Sequence, residues 1–227
     1  ASFASCDNSP IAELSIFFNK ANTFMSTYVA NGKVNYKALV ADPASLNALT
    51  EMIATADLSN ADRNTRIAFY INAYNILTIK TVVANMPIKS PLDVPGFFDK
   101  KQHDVAGVKL TLNDIENSML RPDARVHFVL VCAANGCPVI MNEAYMPDKV
   151  QNQLNVQTKK ALSDPNFIRV DAASKSVAIS QIFDWYKDDF IKDAGTVTSF
   201  INKFRTAPIP ADYKVVTYDY DWNLNIK

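Results

Sequence analysis

Between Asn60 and Asn85 the chain reads as a helix with no polar face. Ile67, Phe69, Ile71, Tyr74, Ile76, Leu77, Ile79, Val82 and Val83 point in all directions around a 3.6-residue repeat. A helix that is apolar all round has to lie inside a fold, so the rest of the chain must cover it on every side. Pro87 and Pro91 end it, and a loop continues through Pro95-Gly96. Asn72 and Asn75 interrupt the apolar surface and, three residues apart, share a face. A buried amide without partners costs about 1–3 kcal/mol. These two must therefore bond to loop backbone or form the polar side of a substrate-binding pocket.

The flanking sequence supplies the cover. A first helix is expected from Ser9-Pro10 to about Ala30, with Ser9 as cap and Pro10 in the first turn, stopping at Asn31-Gly32. A short helix should follow from Ala44 to Ala56. The second half is mixed. Strands are expected at 108–112, at 126–132 where the run is continuously apolar, and at 214–220, with a hairpin from 167–171 and 176–180. Helices are expected over 112–120, 142–162, 180–192 and 196–205. Helices first and short strands later indicate α+β, a helical first half packed around a small, mainly antiparallel sheet from the second half. Residues 1–9 read as a flexible leader and 10–227 as a single α+β domain.

Charge excludes some partners. Lys plus Arg and Asp plus Glu each number 23, and this balance gives no electrostatic reason to expect nucleic acid. No apolar run approaches the roughly 20 residues of a membrane-spanning segment. Phe3-Ala4-Ser5-Cys6 resembles a lipoprotein-processing box, which makes Cys6 a lipidation candidate and a lipid anchor an expectation. The other cysteines are Cys132 and Cys137. In an extracytoplasmic setting (periplasmic, cell-surface or secreted) they could pair, leaving Cys6 as the odd thiol.

Chemistry concentrates in His127-Phe-Val-Leu-Val-Cys132-Ala-Ala-Asn-Gly136-Cys137-Pro138. On a strand, His127 and Cys132 would face opposite ways. The Asn135-Gly136 turn could instead return Cys137 to the side of the imidazole. Pro138 suits the start of a helical turn, where free backbone N–H groups would favour a Cys137 thiolate. This assembles a Cys137 nucleophile with a His127 base. A Cys132–Cys137 disulfide and simple packing are the competing readings. A metal is not expected, because a closed zinc site needs four ligands, and nothing calls for a cofactor. Glu116 and Arg121, in Asp114-Ile-Glu116-Asn-Ser-Met-Leu-Arg121, either cap a solvated helix or reach across to His127. Trp185, Tyr186 and Trp222 read as core anchors or as a ligand platform.

These segments together resemble domain-of-unknown-function family 547. The resemblance rests on Arg66-Ile-Ala-Phe-Tyr-Ile-Asn-Ala-Tyr-Asn75, Leu112-Asn-Asp-Ile-Glu116, Leu120-Arg121, Arg125-Val-His-Phe128 and Cys132 through Cys137-Pro138. It continues through Glu143-Ala-Tyr145, Ser180-Gln-Ile-Phe-Asp-Trp185, Asp189-Phe190 and Tyr220-Asp-Trp222-Asn-Leu-Asn225. Bacterial members are often exported, so the resemblance implies an exported protein, and it implies no particular reaction. Tyr70 replaces the usual Trp, Ala134 a small hydroxyl residue and Gln181 a common Lys; the lost hydroxyl beside the cysteines and the lost cation near Trp185 weaken a catalytic reading that would use them.

Two functions are therefore expected, and a thiol–disulfide exchanger is a distant third, because four residues separate the cysteines where Cys-x-x-Cys is the usual redox spacing. The first is an extracytoplasmic cysteine-dependent hydrolase or acyl transferase. In it Cys137 attacks, His127 is the base, Asn75 or Glu116 orients the imidazole, and Arg121 holds an anionic substrate group. The second is a non-catalytic module that binds a peptide or glycan, with Cys132 and Cys137 oxidised. In either, the partner is a small molecule or a peptide rather than nucleic acid.

Overall fold

The computed structural model describes residues 9–227. Cys6 lies outside the described residues. Helix α1 (Pro10–Tyr28) starts where Ser9 Oγ accepts the Ala12 N–H. It buries Leu14, Phe17, Phe18, Ala21, Phe24 and Met25 along one stripe. Strands β1 (Val29–Ala30) and β2 (Lys33–Val34) pair about Asn31-Gly32, where φ is +52° and +73°. Helices α2 (Tyr36–Ala41) and α3 (Ala44–Thr55) follow. The sequence reading did not anticipate α2, whose two turns begin where Asn35 Oδ1 accepts the Ala38 N–H.

Helix α4 (Arg63–Asn85) is the axis of the fold. Asp62 caps it by accepting the Thr65 N–H at 2.7 Å. From Ala68 to Val82 every residue except Tyr70 and Lys80 is buried. Among the described residues α4 has the length and composition to cross a membrane, and its enclosure by α2, α3 and α6 accounts for that apolarity. The remaining elements are smaller. Strands β3 (His103–Val105) and β4 (Val108–Leu110) form a second antiparallel hairpin. Helix α5 (Leu112–Asp114), capped by Thr111, runs into a π turn over Ile115–Leu120, and a 3₁₀ turn spans Ala124–Phe128. Helix α6 covers Val150–Ser163. Strands β5 (Arg169–Asp171), β6 (Ser176–Ser180) and β7 (Lys214–Tyr218) make one sheet, antiparallel between β5 and β6 and parallel between β6 and β7. Helices α7 (Ile182–Trp185), α8 (Lys187–Ala194) and α9 (Val197–Lys203) connect β6 to β7. The architecture is α+β, with strands confined to small sheets.

Two expected elements change. The run 126–132 is no strand: it turns through the 3₁₀ segment and then extends beside α4. There Asn75 takes the place of a neighbouring strand, donating to Val129 O at 3.0 Å and accepting the Val131 N–H at 2.9 Å. Helix α6 begins at Val150 rather than near Asn142. Pro147 disfavours helix at the residue before it, and Asn72 binds Tyr145 at both its carbonyl (2.7 Å) and its N–H (2.9 Å). Both asparagines thus bond to loop backbone, and neither lines the cavity described below.

The buried residues form two clusters. The larger surrounds α4. The second is rich in phenylalanine, with Phe128, Phe167, Phe183, Phe190 and Phe200 in mutual ring contact. The C-terminal segment runs along the first: Asn225 N–H donates to Ala133 O at 2.9 Å and Gly136 N–H to Asp221 O at 2.8 Å. That course brings Tyr220 and Trp222 beside the cysteine turn.

Candidate functional site

A cavity of about 310 Å³ opens where the two clusters meet. Its walls come from α4 (Tyr74), the π turn (Glu116), the 3₁₀ turn (His127), the cysteine turn, α7 with Tyr186, and the C-terminal segment (Tyr220, Trp222). The π turn matters for Glu116. Arg121 N–H closes back on Glu116 O at 2.9 Å, five residues away, a widened turn often found at functional sites.

His127 is buried, its side chain 1% exposed, between two carboxylates. Nε2 lies 2.8 Å from Asp189 Oδ2. Asp189 also accepts from Arg121 Nε at 2.7 Å and Nη2 at 3.0 Å. Burial acts to raise the Asp189 carboxyl, but the hydrogen bonds and charges of Arg121 and His127 outweigh it and hold the group below the ordinary carboxylate range. An ionised Asp189 makes Nε2 the donor. Nδ1 then faces Glu116 Oε1 at 3.3 Å and makes no hydrogen bond. Tyr186 stacks on the imidazole with centroids 3.8 Å apart. Burial first, and then the Glu116 charge, push the Tyr186 phenol far above its usual range, so it stays protonated as a donor.

The Asn135-Gly136 turn does return Cys137, but onto Cys132 rather than His127. The two sulfurs form a disulfide with Cα atoms 6.4 Å apart. Cys137 Sγ accepts the Cys132 N–H at 2.9 Å and the Tyr220 O–H at 3.0 Å, and no hydrogen bond links it to His127. The expected helical turn after Pro138 is absent, because residues 138–146 follow an irregular path fixed in part by the Asn72 amide, so Cys137 caps no helix. Of the other expected site residues, Glu116 does approach the imidazole, whereas Asn75 does not. Arg121 reaches His127 only through Asp189 and lines a separate cleft of about 1130 Å³ with Arg63, Arg66, Arg125 and Lys203. A bound anion in the aromatic cavity would therefore not meet it directly.

Sequence reasoning missed the role of Asp189 and undervalued Tyr220. Asp189 stands in an Asp188-Asp189 pair, and α8 buries only the second. Its position four residues after Trp185 was the available signal, and nothing local singles it out. Trp185, Tyr220 and Trp222 form one aromatic group, with centroids 5.0, 5.8 and 4.7 Å apart.

The family match coincides with part of this geometry. Residues 58–161 match the family described as protein of unknown function, DUF547. Over these residues the chain is similar to the DUF547 family. The DUF547 match includes α4, Glu116, His127 and both cysteines, whereas Asp189, Tyr186, Tyr220 and both tryptophans come from the chain beyond it. No curated protein and no solved structure matches the chain.

Proposed function

We propose that the cavity is the ligand site of an extracytoplasmic glycan-binding module, with Cys132 and Cys137 oxidised as part of its wall. The observation that carries this reading is the aromatic group over the cavity. Trp185 is 47% exposed although two other rings pack against it, so a broad apolar face remains open to a ligand. Tyr and Trp combine an apolar body with a polar tip, which suits a sugar ring that is apolar on its faces and polar at its edge. Beneath them Glu116 and Asn113 offer the few polar groups that orient a ligand in such sites. The disulfide supports an oxidising compartment. The nucleophile reading has less support: it requires Cys137 to be reduced and His127 to be free, while Asp189 holds one ring nitrogen and Glu116 faces the other.

Trp185 and Trp222 are the only tryptophans in the chain, so its intrinsic tryptophan fluorescence reports on this site alone. A panel of neutral oligosaccharides should include one that changes the emission saturably. Trp222→Ala should weaken that binding about tenfold, or ~1.4 kcal/mol, and Trp222→Phe should largely retain it. Saturable binding of peptides with no response to any sugar would overturn the glycan reading in favour of a peptide site.

A further inference from the structure

We propose that Cys132–Cys137 is an exchange-competent disulfide that reacts with thiols entering the aromatic cavity, attack falling on Cys132 and Cys137 departing as a thiolate. Three observations support this. Both cysteines are partly exposed, and both line the cavity. Cys137 also lines a second cavity of about 620 Å³, so it borders two accessible spaces. Structural disulfides are more usually sealed in packing.

The second observation is that hydrogen-bond donors for a departing thiolate are already in place. Cys137 Sγ faces the Cys132 N–H at 2.9 Å and the Tyr220 O–H at 3.0 Å. Tyr220 O also lies 2.8 Å from Cys132 Sγ, so one phenol serves both sulfurs. Burial raises the Tyr220 hydroxyl far above its usual range, which keeps it a donor when a thiolate forms beside it. Its position is fixed by its N–H, which donates to Gln181 Oε1 at 2.8 Å, and by contact with both indoles. Hydrogen bonds to a leaving thiolate speed its departure.

The third is that the turn does not need the S–S bond. Cys137 N–H donates to Ala134 O at 3.2 Å, and Gly136 and Asn135 bond to the C-terminal segment at 2.8 Å each. A bond spanning a sequence separation of 5 removes less chain entropy than one closing a longer loop. The fold should therefore survive reduction.

The reaction balances as follows. A thiolate RS⁻ attacks Cys132 Sγ, the S–S bond breaks, and its electron pair goes to Cys137, which now holds the negative charge. A second RS⁻ attacks the R sulfur of the mixed disulfide, releasing RSSR and a Cys132 thiolate. Two protons from the incoming thiols complete two cysteines. The disulfide is reduced by two electrons and two RSH are oxidised to RSSR. The thiol is a small molecule or a cysteinyl peptide, and the two are separated by test.

The full chain is equilibrated with reduced and oxidised glutathione, acid-quenched, alkylated and mapped by mass. Reversible interconversion is expected with unchanged far-UV dichroism. In the reduced protein, iodoacetamide at about pH 6.5 should modify Cys137 about tenfold faster than Cys132, and Tyr220→Phe should reduce that preference. Cys137→Ser should accumulate a glutathione adduct on Cys132, keeping the test decisive if Tyr220→Phe misfolds. A parallel run with a cysteine-containing peptide shows which thiol reacts faster. Reduction that occurs only in denaturant, with no adduct on Cys132, would overturn the proposal and leave a structural staple. The proposal does not rest on glycan binding, which is measured on oxidised protein and can succeed where exchange fails.

Discussion

Replacing Asp189 with Asn tests whether the buried charge cluster holds the site together. Asp189 accepts three hydrogen bonds, two from Arg121 and one from His127, and its side chain is 8% exposed. Asn keeps one acceptor and turns an NH₂ group toward donors. Hydrogen bonds to charged groups are each worth about 1.5–3 kcal/mol, and removing one partner of a buried ion pair costs about 3–5 kcal/mol. The Arg121 side chain is 29% exposed, so water recovers part of its loss and the low end applies. Asp189→Asn should therefore lower unfolding free energy by about 3 kcal/mol, measured by urea denaturation followed by far-UV dichroism. Asp193→Asn is the control: its pair with Lys203 is 34% and 48% exposed and should be worth under about 0.5 kcal/mol. The same cluster sets a pH dependence. A carboxyl depressed by folding stabilises above its unfolded pKa of about 3.9, and this contribution is lost as pH falls through the lower folded value. The difference between wild type and Asp189→Asn should thus be flat from neutral pH to about 4 and shrink below. A loss under about 1 kcal/mol at neutral pH, or a loss equal to the control, would refute the reasoning.

Two further outcomes follow from other residues. His103 is buried, its Nε2 has no hydrogen-bond partner, and burial followed by the Lys101 charge pushes its pKa down to about 4. The unfolded ring takes a proton near 6.5, before the folded one, so stability present above that pH is lost as pH falls toward 4, by up to about 3 kcal/mol. Urea titrations should show this slope in wild type and not in His103→Leu. At Gly136, a Cβ would meet Asp221 N at 2.9 Å and the Tyr220 ring at 3.0 Å. Gly136→Ala should cost about 1–3 kcal/mol in the same assay and, by displacing Tyr220, reduce the alkylation preference for Cys137.

The sequence by itself determined that 60–85 is a buried helix, because nine apolar side chains distributed around it leave no face for water. It also determined that Asn72 and Asn75 need hydrogen-bond partners and that helices precede short strands, and it placed His127 and the two cysteines in one segment. Tertiary structure decided what those groups do there. A continuous apolar run fits a buried strand or any buried extended segment equally well, and only the Asn75 amide, supplied from 54 residues away, distinguishes the two. The partner of an imidazole is chosen the same way. Asp189 is separated from His127 by 62 residues, and Tyr220 from Cys137 by 83. Local periodicity reports which face of an element is apolar, and it carries no information about which distant donor or acceptor will arrive to satisfy a buried polar atom.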